Sequence, residues 1–461
     1  MTKEIMRGTG VAESKVVDPL AHHWHGEFDV LVVGLGAAGA STAIEATSQG
    51  AKVAIIDRFN GGGSTALSGS VYYAGGGTAL QEKLNIKDDA DNMYRYLKHE
   101  VGSVVSDQTL QRFCQQSVDN FDWLQQQGVR YSGDVFTIKT THPRPEYSLY
   151  YSGNELLSST VEKTQTYSAP RGHVADGNAK ATGLGAGFFK NLGRSARRLA
   201  AKFYQQSRVS RLLLDDQGRV IGVEIKQLYS WTLSGLLHRL ANKLANSTHM
   251  ASPKLSSKSR GLINRLEKRA VSRCIRANKG VILSSGGFIF NRDMVRQHLP
   301  EFLPARMLGQ AGDNGAGIAL GVSAGGVMKE MHSASAWRFI NPPKTWSRGM
   351  VVNLAGQRYC DEASYGAVIG TRMYRNNLAQ GMLIIDSELY NNSTEFLSRD
   401  ARSLISMVVK QQLKTAYRAD TIEQLAELTG IDCGNLLATV ELYNACARGE
   451  QQDPFKKSPS L

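Results

Sequence analysis

The chain has 461 residues, of which 42% are hydrophobic and 21% charged, so it can build two or three packed domains and is neither a disordered tail nor a small disulfide-bonded knot. Its 46 glycines have no three-residue period, which excludes a collagen-like structure and places them at turns and ligand loops. The net charge of +13 is concentrated in residues 227–280, which carry +10 through eleven Lys or Arg and one acid, Glu267, so it marks a basic insertion rather than a nucleic-acid-binding fold.

The first predicted elements form a strand, a helix and a second strand. A β-branched run at 28–33 leads into a Gly-x-Gly-x-x-Gly sequence at Gly34, Gly36 and Gly39, a helix is predicted over 40–49, and a second strand over 52–56 ends at Asp57. This glycine spacing brings backbone N–H groups against a pyrophosphate, and the acid can accept hydrogen bonds from ribose hydroxyls. Because the carboxylate also repels a 2′-phosphate, the pattern predicts an α/β fold that binds FAD or NAD rather than NADP.

The next segment distinguishes the two cofactors. Residues 61–70 read GGGSTALSGS, and a Gly/Ser-rich loop so soon after Asp57 offers amides and hydroxyls to a second region of the cofactor. This favours a flavin lying along the sheet. The alternative is a flexible surface loop.

Three more elements are predicted further along: a β-hairpin over 211–225 with its turn at 215–218, a buried strand over 281–284 that ends at Gly286 and Gly287, and a helix of small residues opening at 312–317. From about Lys329 onward the chain has more aromatic residues and fewer glycines. This change indicates a second domain.

The basic insertion contains amphipathic sequence. Five leucines recur at helical spacing: Leu233, Leu236, Leu237, Leu240 and Leu244. Trp231 precedes them, and the cations Arg239 and Lys243 lie between them. A similar helix is predicted over 262–275, after a Ser/Lys-rich linker at 247–261. Such a module can rest on an anionic membrane surface or pack as a hairpin on its own protein, and both alternatives stay open.

Cysteines and histidines give no sign of a disulfide framework or a metal site. The five cysteines are scattered, at Cys114, Cys274, Cys360, Cys433 and Cys446. His22, His23 and His25 have no carboxylate or thiol at ligand spacing, so we expect them in a solvated polar leader, 1–27. Because no signal-like or membrane-spanning apolar run is present, we expect a reduced, cytoplasmic protein, with membrane association through 227–280 as an open alternative.

Taken in order, the motifs carry a family resemblance. Four motifs follow the glycine fingerprint and the 61–70 loop: APRGH at 169–173, SGGF at 285–288, GDNG at 312–315 and VNxxGxRYxxE at 352–362. This set resembles the succinate dehydrogenase/fumarate reductase flavoprotein superfamily, and within it the 3-ketosteroid dehydrogenases most. The resemblance runs from about Glu27 to the C-terminus and skips only the basic insertion.

The resemblance implies FAD in a Rossmann-like domain, 28–330, and a second α+β capping domain, 331–461, that holds the substrate against the flavin. Respiratory members attach FAD through a histidine where this chain has Ser64, so the flavin is expected to be noncovalent. The residues expected to contact FAD are Gly34, Gly36, Ala38, Gly39, Asp57, Arg58, Gly62, Gly63, Ser64, Thr65, Ser68, Gly69, Val209, Ser285, Gly286, Gly287 and Asp313.

Family chemistry is hydride transfer between flavin N5 and the carbon β to a carbonyl, while a protein group handles the proton on the α carbon. Fumarate reductases place an arginine three residues after the motif's glutamate, where this chain has Tyr365. A phenol suits a neutral ketone, since no dicarboxylate needs an arginine clamp; the alternative is a packing role. The expected substrate contacts are Tyr72, Tyr73, Arg171 and His173, with packing in the core as the alternative for the two tyrosines. The groups expected to form ion pairs are Arg338, Arg358 and Glu362, and a proton path through Glu362 is left open.

Nothing after Gly434 has the character of the glycine-rich segment with which family members return to the flavin domain. We therefore expect that segment to be absent and FAD to be retained weakly. The expected function is an FAD-dependent dehydrogenase of a lipophilic ketone such as a 3-ketosteroid. The alternatives are a fumarate or enoate-type reductase and a truncated, inactive flavin-fold binding protein.

Overall fold

The computed structural model describes residues 2–141, 143, 146–176, 185–248, 252–340, 344–399 and 404–458. Its strands are β1 (Lys15–Val16), β2 (Glu27–Val33), β3 (Val53–Ile56), β4 (Val71–Tyr73), β5 (Asp134–Phe136), β6 (Tyr147–Tyr150), β7 (Gly172–Val174), β8 (Lys202–Tyr204), β9 (Ser207–Leu214), β10 (Val220–Gln227), β11 (Val271–Leu283), β12 (Met350–Val352) and β13 (Met382–Ile384). Its helices are α1 (Thr2–Ile5), α2 (Ala37–Ser48), α3 (Ala79–Lys83), α4 (Ala90–Val101), α5 (Asp107–Gln115), α6 (Ser117–Gln126), α7 (Ser158–Thr164), α8 (Ala186–Leu199), α9 (Leu233–Thr248), α10 (Pro253–Glu267), α11 (Arg292–His298), α12 (Ala316–Ser323), α13 (Gly366–Asn376), α14 (Ser387–Arg399), α15 (Leu404–Lys414), α16 (Ile422–Thr429) and α17 (Cys433–Ala447).

The chain folds into two compact units. The first comprises Met1–Tyr72, Asp122–Tyr131 and Val174–His332, and the second comprises Tyr73–Phe121, Ser132–His173 and Ser333–Leu461. The functional boundaries expected from the sequence, at 27 and 330, stay a prediction.

The first unit is built on a sheet that, within the described residues, has the strand order β1-β9-β10-β11-β2-β3-β8. Neighbours from β11 to β8 run parallel, whereas β10 is antiparallel to both β9 and β11. All four residues of β3 are buried, as is typical of a parallel strand covered on both faces. The sheet side chains form one core with Leu31, Ile56, Val223 and Ile275. The predicted α/β fold is confirmed.

Pairing of β2 with β3 sets the position of the glycine fingerprint. The register runs from Val30 opposite Val53 to Val33 opposite Ile56, and Gly34 N–H donates to Ile56 O at 2.8 Å. Both strands therefore end at the same edge of the sheet, and α2 connects them as predicted. The small-residue helix after 312–315 is also confirmed, as α12.

The hairpin of β9 and β10 is confirmed, and its turn is held by Asp215, whose Oδ1 accepts the Arg219 N–H at 2.8 Å.

Two predictions for the basic insertion, which follows the hairpin, were wrong. The helix predicted over 262–275 ends at Glu267, because Val271 to Ile275 pair antiparallel with β10 as the start of a long β11. The predicted linker at 247–261 is largely helical, since α10 begins at Pro253, a residue that is favourable at the first position of a helix.

The N-terminal segment pairs with the sheet, while His23 and His25 are exposed, so the polar leader at 1–27 stays a prediction. β1 pairs with β9, and the His25 backbone N–H donates to Cys274 O at 2.8 Å. Trp24 donates its indole N–H to Pro19 O at 3.0 Å. Among the described residues, no group of three or more His, Cys, Asp or Glu is arranged to hold a metal ion.

In the second unit, the four-stranded sheet has the order β4-β7-β6-β5 and the two-stranded sheet pairs β12 with β13. One core cluster includes Trp346, Val351 and Ile369. Another includes Val352 and Leu436. These cores hold the N-terminal end of α13 in place.

Candidate active site

An open groove of about 1090 Å³ lies in the first unit at the carboxyl ends of β2 and β3, where open α/β sheets bind ligands. Of the 17 residues predicted to contact FAD, twelve line it: Gly34, Gly36, Ala38, Asp57, Arg58, Gly63, Ser64, Thr65, Val209, Ser285, Gly286 and Asp313. The remaining five do not: Gly39, Gly62, Ser68, Gly69 and Gly287. The fold therefore brings most of this set together from five separate segments.

Two glycines let helix α2 begin close to the strand end. Gly34 has a φ of +98°, in the left-handed region that favours glycine, and a Cβ there would lie 2.6 Å from Ser284 O. A Cβ at Gly39 would overlap the carbonyl oxygen of Gly34. Gly39 thus permits close packing behind the groove and does not face it.

The N-terminus of α2 faces the groove through Gly36, Ala37 and Ala38. Its N-cap, Gly36, makes no side-chain capping bond, and the first turn contains no acid. Ala37 N–H donates to Thr65 Oγ1 at 2.9 Å, which ties the 61–70 loop to the helix start. Because a helix N-terminus carries partial positive charge, this end suits an anionic pyrophosphate.

Asp57 organises the loops around the groove. One carboxylate oxygen accepts the Leu35 N–H at 2.8 Å, and the other accepts the N–H groups of Phe59 and Gly61 at 2.8 and 3.0 Å. A carboxylate has about four lone-pair positions, so one remains for a ribose hydroxyl. The predicted ribose contact stays a prediction, and the structure adds the loop-ordering role.

Arg58 lines the groove, but its guanidinium pairs with the insertion. It donates to both oxygens of Glu267, at 2.7 and 3.2 Å, and to Asn264 at 3.1 Å. Glu267 also lies 3.4 Å from Arg208 and 3.3 Å from His238. Burial opposes ionisation of Glu267, yet the Arg58 charge, the His238 hydrogen bond and the Arg208 charge lower its pKa to about 2.

The insertion packs directly behind the groove. His238 stacks on Phe59 with ring centroids 5.5 Å apart and an interplanar angle of 21°. Phe59, which lines the groove, also packs with Ala241, Ala245 and Ile263. Sequence reasoning missed this group and Gln310 as well; the available signal was that Glu267 is the single acid among eleven cations.

Ser64 joins the 61–70 loop to the segment before α12. Its hydroxyl donates to Asp313 Oδ2 and accepts the Gln310 N–H at 2.9 Å. Burial raises the pKa of Asp313, against the hydrogen bonds from Ser64 and Gln310. Noncovalent binding of the flavin stays a prediction.

The second unit contains a pocket of about 880 Å³ that Tyr365 lines together with Leu156, Phe339 and Ile369. Tyr365 precedes α13, and its backbone N–H donates to Asn154 Oδ1 at 2.6 Å. Its ring meets Trp337 edge-on at 4.7 Å. Burial, followed by the charges of Glu155 and Glu100, raises the pKa of the phenol, so the phenol is protonated at neutral pH.

Lys139 lines the same pocket, and its pKa is also shifted. Burial lowers its pKa to about 8, against the negative charges of Glu155, Asp361 and Glu100. Burial also raises the pKa of Glu155, whose carboxylate accepts the Tyr73 hydroxyl at 3.0 Å. Such a group of shifted titratable residues around an apolar pocket is typical of a functional site.

The predicted substrate residues lie elsewhere. Arg171 donates to both oxygens of Asp88 at 2.7 and 2.8 Å in a fully buried pair. His173 is buried, with Nε2 2.9 Å from Thr78 Oγ1. Arg171, His173, Tyr72 and Tyr73 do not line the pocket that holds Tyr365, and their contact with substrate stays a prediction.

Arg358 and Glu362 form the predicted ion pair, through two hydrogen bonds of 3.0 and 2.8 Å. Arg358 also donates to Asp453 at 2.6 Å, and Lys457 donates to Glu362 at 2.9 Å. Glu362 accepts the Val351 N–H at 2.9 Å. The motif glutamate therefore fixes the loop before Tyr365 to β12.

The fold and the groove define a dinucleotide-binding protein of the α/β class. The chain belongs to the FAD binding domain family, whose model matches residues 29–458. It is 36% identical over 454 residues to a 3-oxo-5-alpha-steroid 4-dehydrogenase from Comamonas testosteroni, covering 95% of this chain and 82% of the relative.

Two further proteins place the chain among its relatives. A crystal structure of 3-ketosteroid-delta4-(5alpha)-dehydrogenase from Rhodococcus jostii RHA1 in complex with 4-androstene-3,17-dione has a TM-score of 0.80 and 27% identity, covering 97% of this chain and 83% of that one. A fumarate reductase (cytochrome) from Shewanella frigidimarina is more distant, at 23% identity over 96% of this chain and 64% of its own length. The predicted superfamily resemblance, FAD as the cofactor and the flavoprotein oxidoreductase class are confirmed.

The groove fits the cofactor that the family implies. Its floor is glycine backbone with no room for a Cβ at Gly34, the N-terminus of α2 has no acid in its first turn, and Asp57 retains acceptor capacity for a hydroxyl. These three features match the phosphate and ribose groups of FAD.

Proposed function

We propose that this protein is a 3-ketosteroid dehydrogenase that forms the double bond between carbons 4 and 5 of a 5α-reduced 3-ketosteroid. The observation that carries the proposal is 36% identity over 95% of the chain to a relative named for that reaction. The similarity to the structure in complex with 4-androstene-3,17-dione supports the same substrate class. The fumarate reductase relatives are less similar.

We also propose that FAD binds noncovalently in the groove of the first unit. The backbone N–H groups at Gly36 and Ala38 hold its pyrophosphate, and Asp57 accepts a ribose hydroxyl. Bound FAD supplies the acceptor for the hydride that leaves carbon 5, which is β to the ketone.

Tyr365 is the proposed catalytic residue that takes the proton from carbon 4, which is α to the ketone. As the proton leaves to the phenolate oxygen and the hydride leaves carbon 5, the two carbons gain their double bond. Leu156, Phe339 and Ile369 exclude water and accommodate the apolar steroid rings. The Arg358 and Glu362 pair positions the loop that carries Tyr365.

The test is product formation by FAD-loaded protein with an artificial electron acceptor. Supplied with 5α-androstane-3,17-dione, the enzyme should form the conjugated enone, which is measured by its ultraviolet absorbance and chromatographic mobility. In a parallel assay, the protein with reduced flavin is supplied with fumarate, and the reduction of fumarate is measured. Reduction of fumarate without any enone formation would replace the steroid assignment with a fumarate-type reductase.

A further inference from the structure

The two insertion helices present an apolar face that the protein does not cover. Helix α9 turns its small residues inward, so that Gly235, Ala241 and Ala245 are buried. Its large residues lie on the other side and are exposed by 38 to 81%, namely Trp231, Leu236, Leu237, Leu240 and Leu244. Positions 233, 236, 237, 240 and 244 follow the spacing of one helix face, so the exposed residues form a continuous stripe.

Helix α10, which packs beside α9, extends this face and adds charge. Leu255 and Leu262 are each about two-fifths exposed. The exposed cations Lys258 and Arg265 fall on the same helix face by their spacing, and the exposed Arg269 follows two residues after the helix ends. Residues 231–269 contain eight Lys or Arg and the single acid Glu267. Because that acid is buried against Arg58 and Arg208, it does not neutralise the outer cations.

We propose that this outer face, the leucine stripe of α9 with Leu255, Leu262 and the surrounding cations, docks on the surface of an anionic lipid bilayer. A leucine stripe with tryptophan at one end and cations along its edge suits the interface between acyl chains and acidic headgroups. A second copy of the chain is disfavoured as the occupant, since it would bring another strongly basic face against the first. Contact is peripheral: in the described residues, no helix is long and apolar enough to cross a membrane.

Sedimentation of the FAD-loaded protein with vesicles tests the proposal. Vesicles of equal parts phosphatidylglycerol and phosphatidylcholine should bind the protein, those of phosphatidylcholine alone should bind it far less, and added salt should release it. The double variant L236Q/L240Q, which removes apolar contact and leaves the charge unchanged, should lower the vesicle partition coefficient about 10-fold or more. The variant K258Q/R265Q should lower it by about 10-fold to 30-fold on anionic vesicles.

The matched control is L428Q/L437Q, which alters two exposed leucines on α16 and α17 of the second unit and should bind vesicles like the parent. Retained flavin absorbance and an unchanged thermal unfolding temperature show that each variant is folded. Failure of the parent protein to bind anionic vesicles overturns the proposal, and so does unchanged binding by L236Q/L240Q. A dimer that L236Q/L240Q dissociates, without vesicle binding by the parent, would assign the face to a second copy instead.

Discussion

Tyr365 lies in a mostly apolar pocket with acidic residues nearby, and both features raise the pKa of its phenol, so the proposed proton transfer uses the phenolate fraction. Replacing it by Phe keeps the ring contact with Trp337 and removes only the hydroxyl. Because general acid–base groups contribute about 10² to 10⁴-fold, Tyr365→Phe should lower kcat by that factor while FAD stays bound. Steady-state turnover and flavin absorbance measure the two effects. Tyr359→Phe, a half-buried tyrosine that does not line the pocket, is the control, and equal turnover in both variants would remove Tyr365 from the mechanism.

The raised pKa of Tyr365 also predicts a pH profile. Proton removal needs the phenolate, whose population below the pKa increases about tenfold per pH unit, so kcat/KM for dehydrogenation should rise from pH 6 into the alkaline range. Lys139, with a pKa of about 8, titrates within this interval. The profile is therefore measured in Lys139→Met as well; loss of the rise there would assign the ionisation to the lysine.

The glycine fingerprint can be tested with a pair of matched substitutions. Gly34 and Gly50 have φ of +98° and +80°, so alanine at either is strained by about 1 kcal/mol. Only at Gly34 would the new Cβ meet backbone, that of Ser284, whereas Gly50 has open space around it. Gly34→Ala should lose FAD on desalting and Gly50→Ala should keep it, as followed by visible absorbance per mole of protein. Equal retention would show that the strand end tolerates a side chain.

At the scale of elements, the helical hairpin of α9 and α10 is tied to the groove by Glu267. Glu267→Gln leaves Arg58 and Arg208 with a neutral partner, and both arginines line the groove. We expect the FAD dissociation constant to rise about 10-fold, equivalent to about 1.4 kcal/mol. Glu224→Gln is the control, since that carboxylate pairs with Ser272 on the sheet and does not line the groove. Unchanged FAD affinity in Glu267→Gln would separate the insertion from the cofactor site.

The same residue predicts an effect of acid on stability. The pKa of Glu267 is depressed from 4.5 to about 2, so its contribution of about 3 kcal/mol is fully present above pH 4.5 and is lost as the pH falls toward 2. Urea unfolding of the parent protein should show this loss. In Glu267→Gln the stability at pH 7 should already be lower by a similar amount and the acid dependence smaller; an equal acid slope in both would contradict this.

Elements whose pattern is local could be predicted from the sequence. Periodicity and turn residues predicted the strand, helix and strand at 28–57 and the hairpin at 211–225. In the insertion, the leucine spacing predicted the helix α9 but left open which face packs, and Gly235, Ala241 and Ala245 are the residues that pack. Similarly, Val271 to Ile275 fit a helical pattern in isolation and became strand through pairing with β10, which depends on residues more than forty positions away.

At the scale of the whole molecule, the groove residues were predictable and their partners were not. Spacing indicated Gly34 and Asp57, whereas the Gly/Ser-rich loop and the family resemblance indicated Ser64. Glu267 and Gln310 reach the groove from distant segments through tertiary packing, for which the sequence has no local signal. Residues 73–121 and 132–173 also belong to the second unit through tertiary packing, for which the sequence has no local signal.

Anaerobic titration of the FAD-loaded protein with 5α-androstane-3,17-dione tests the central claim most directly. The account predicts that the visible absorbance of the flavin is bleached in proportion to the steroid added, with the 4-ene-3-ketone as the product. A protein that binds FAD, is bleached by dithionite and stays yellow with the steroid would contradict the proposed activity. A protein that binds no FAD would contradict the cofactor site itself.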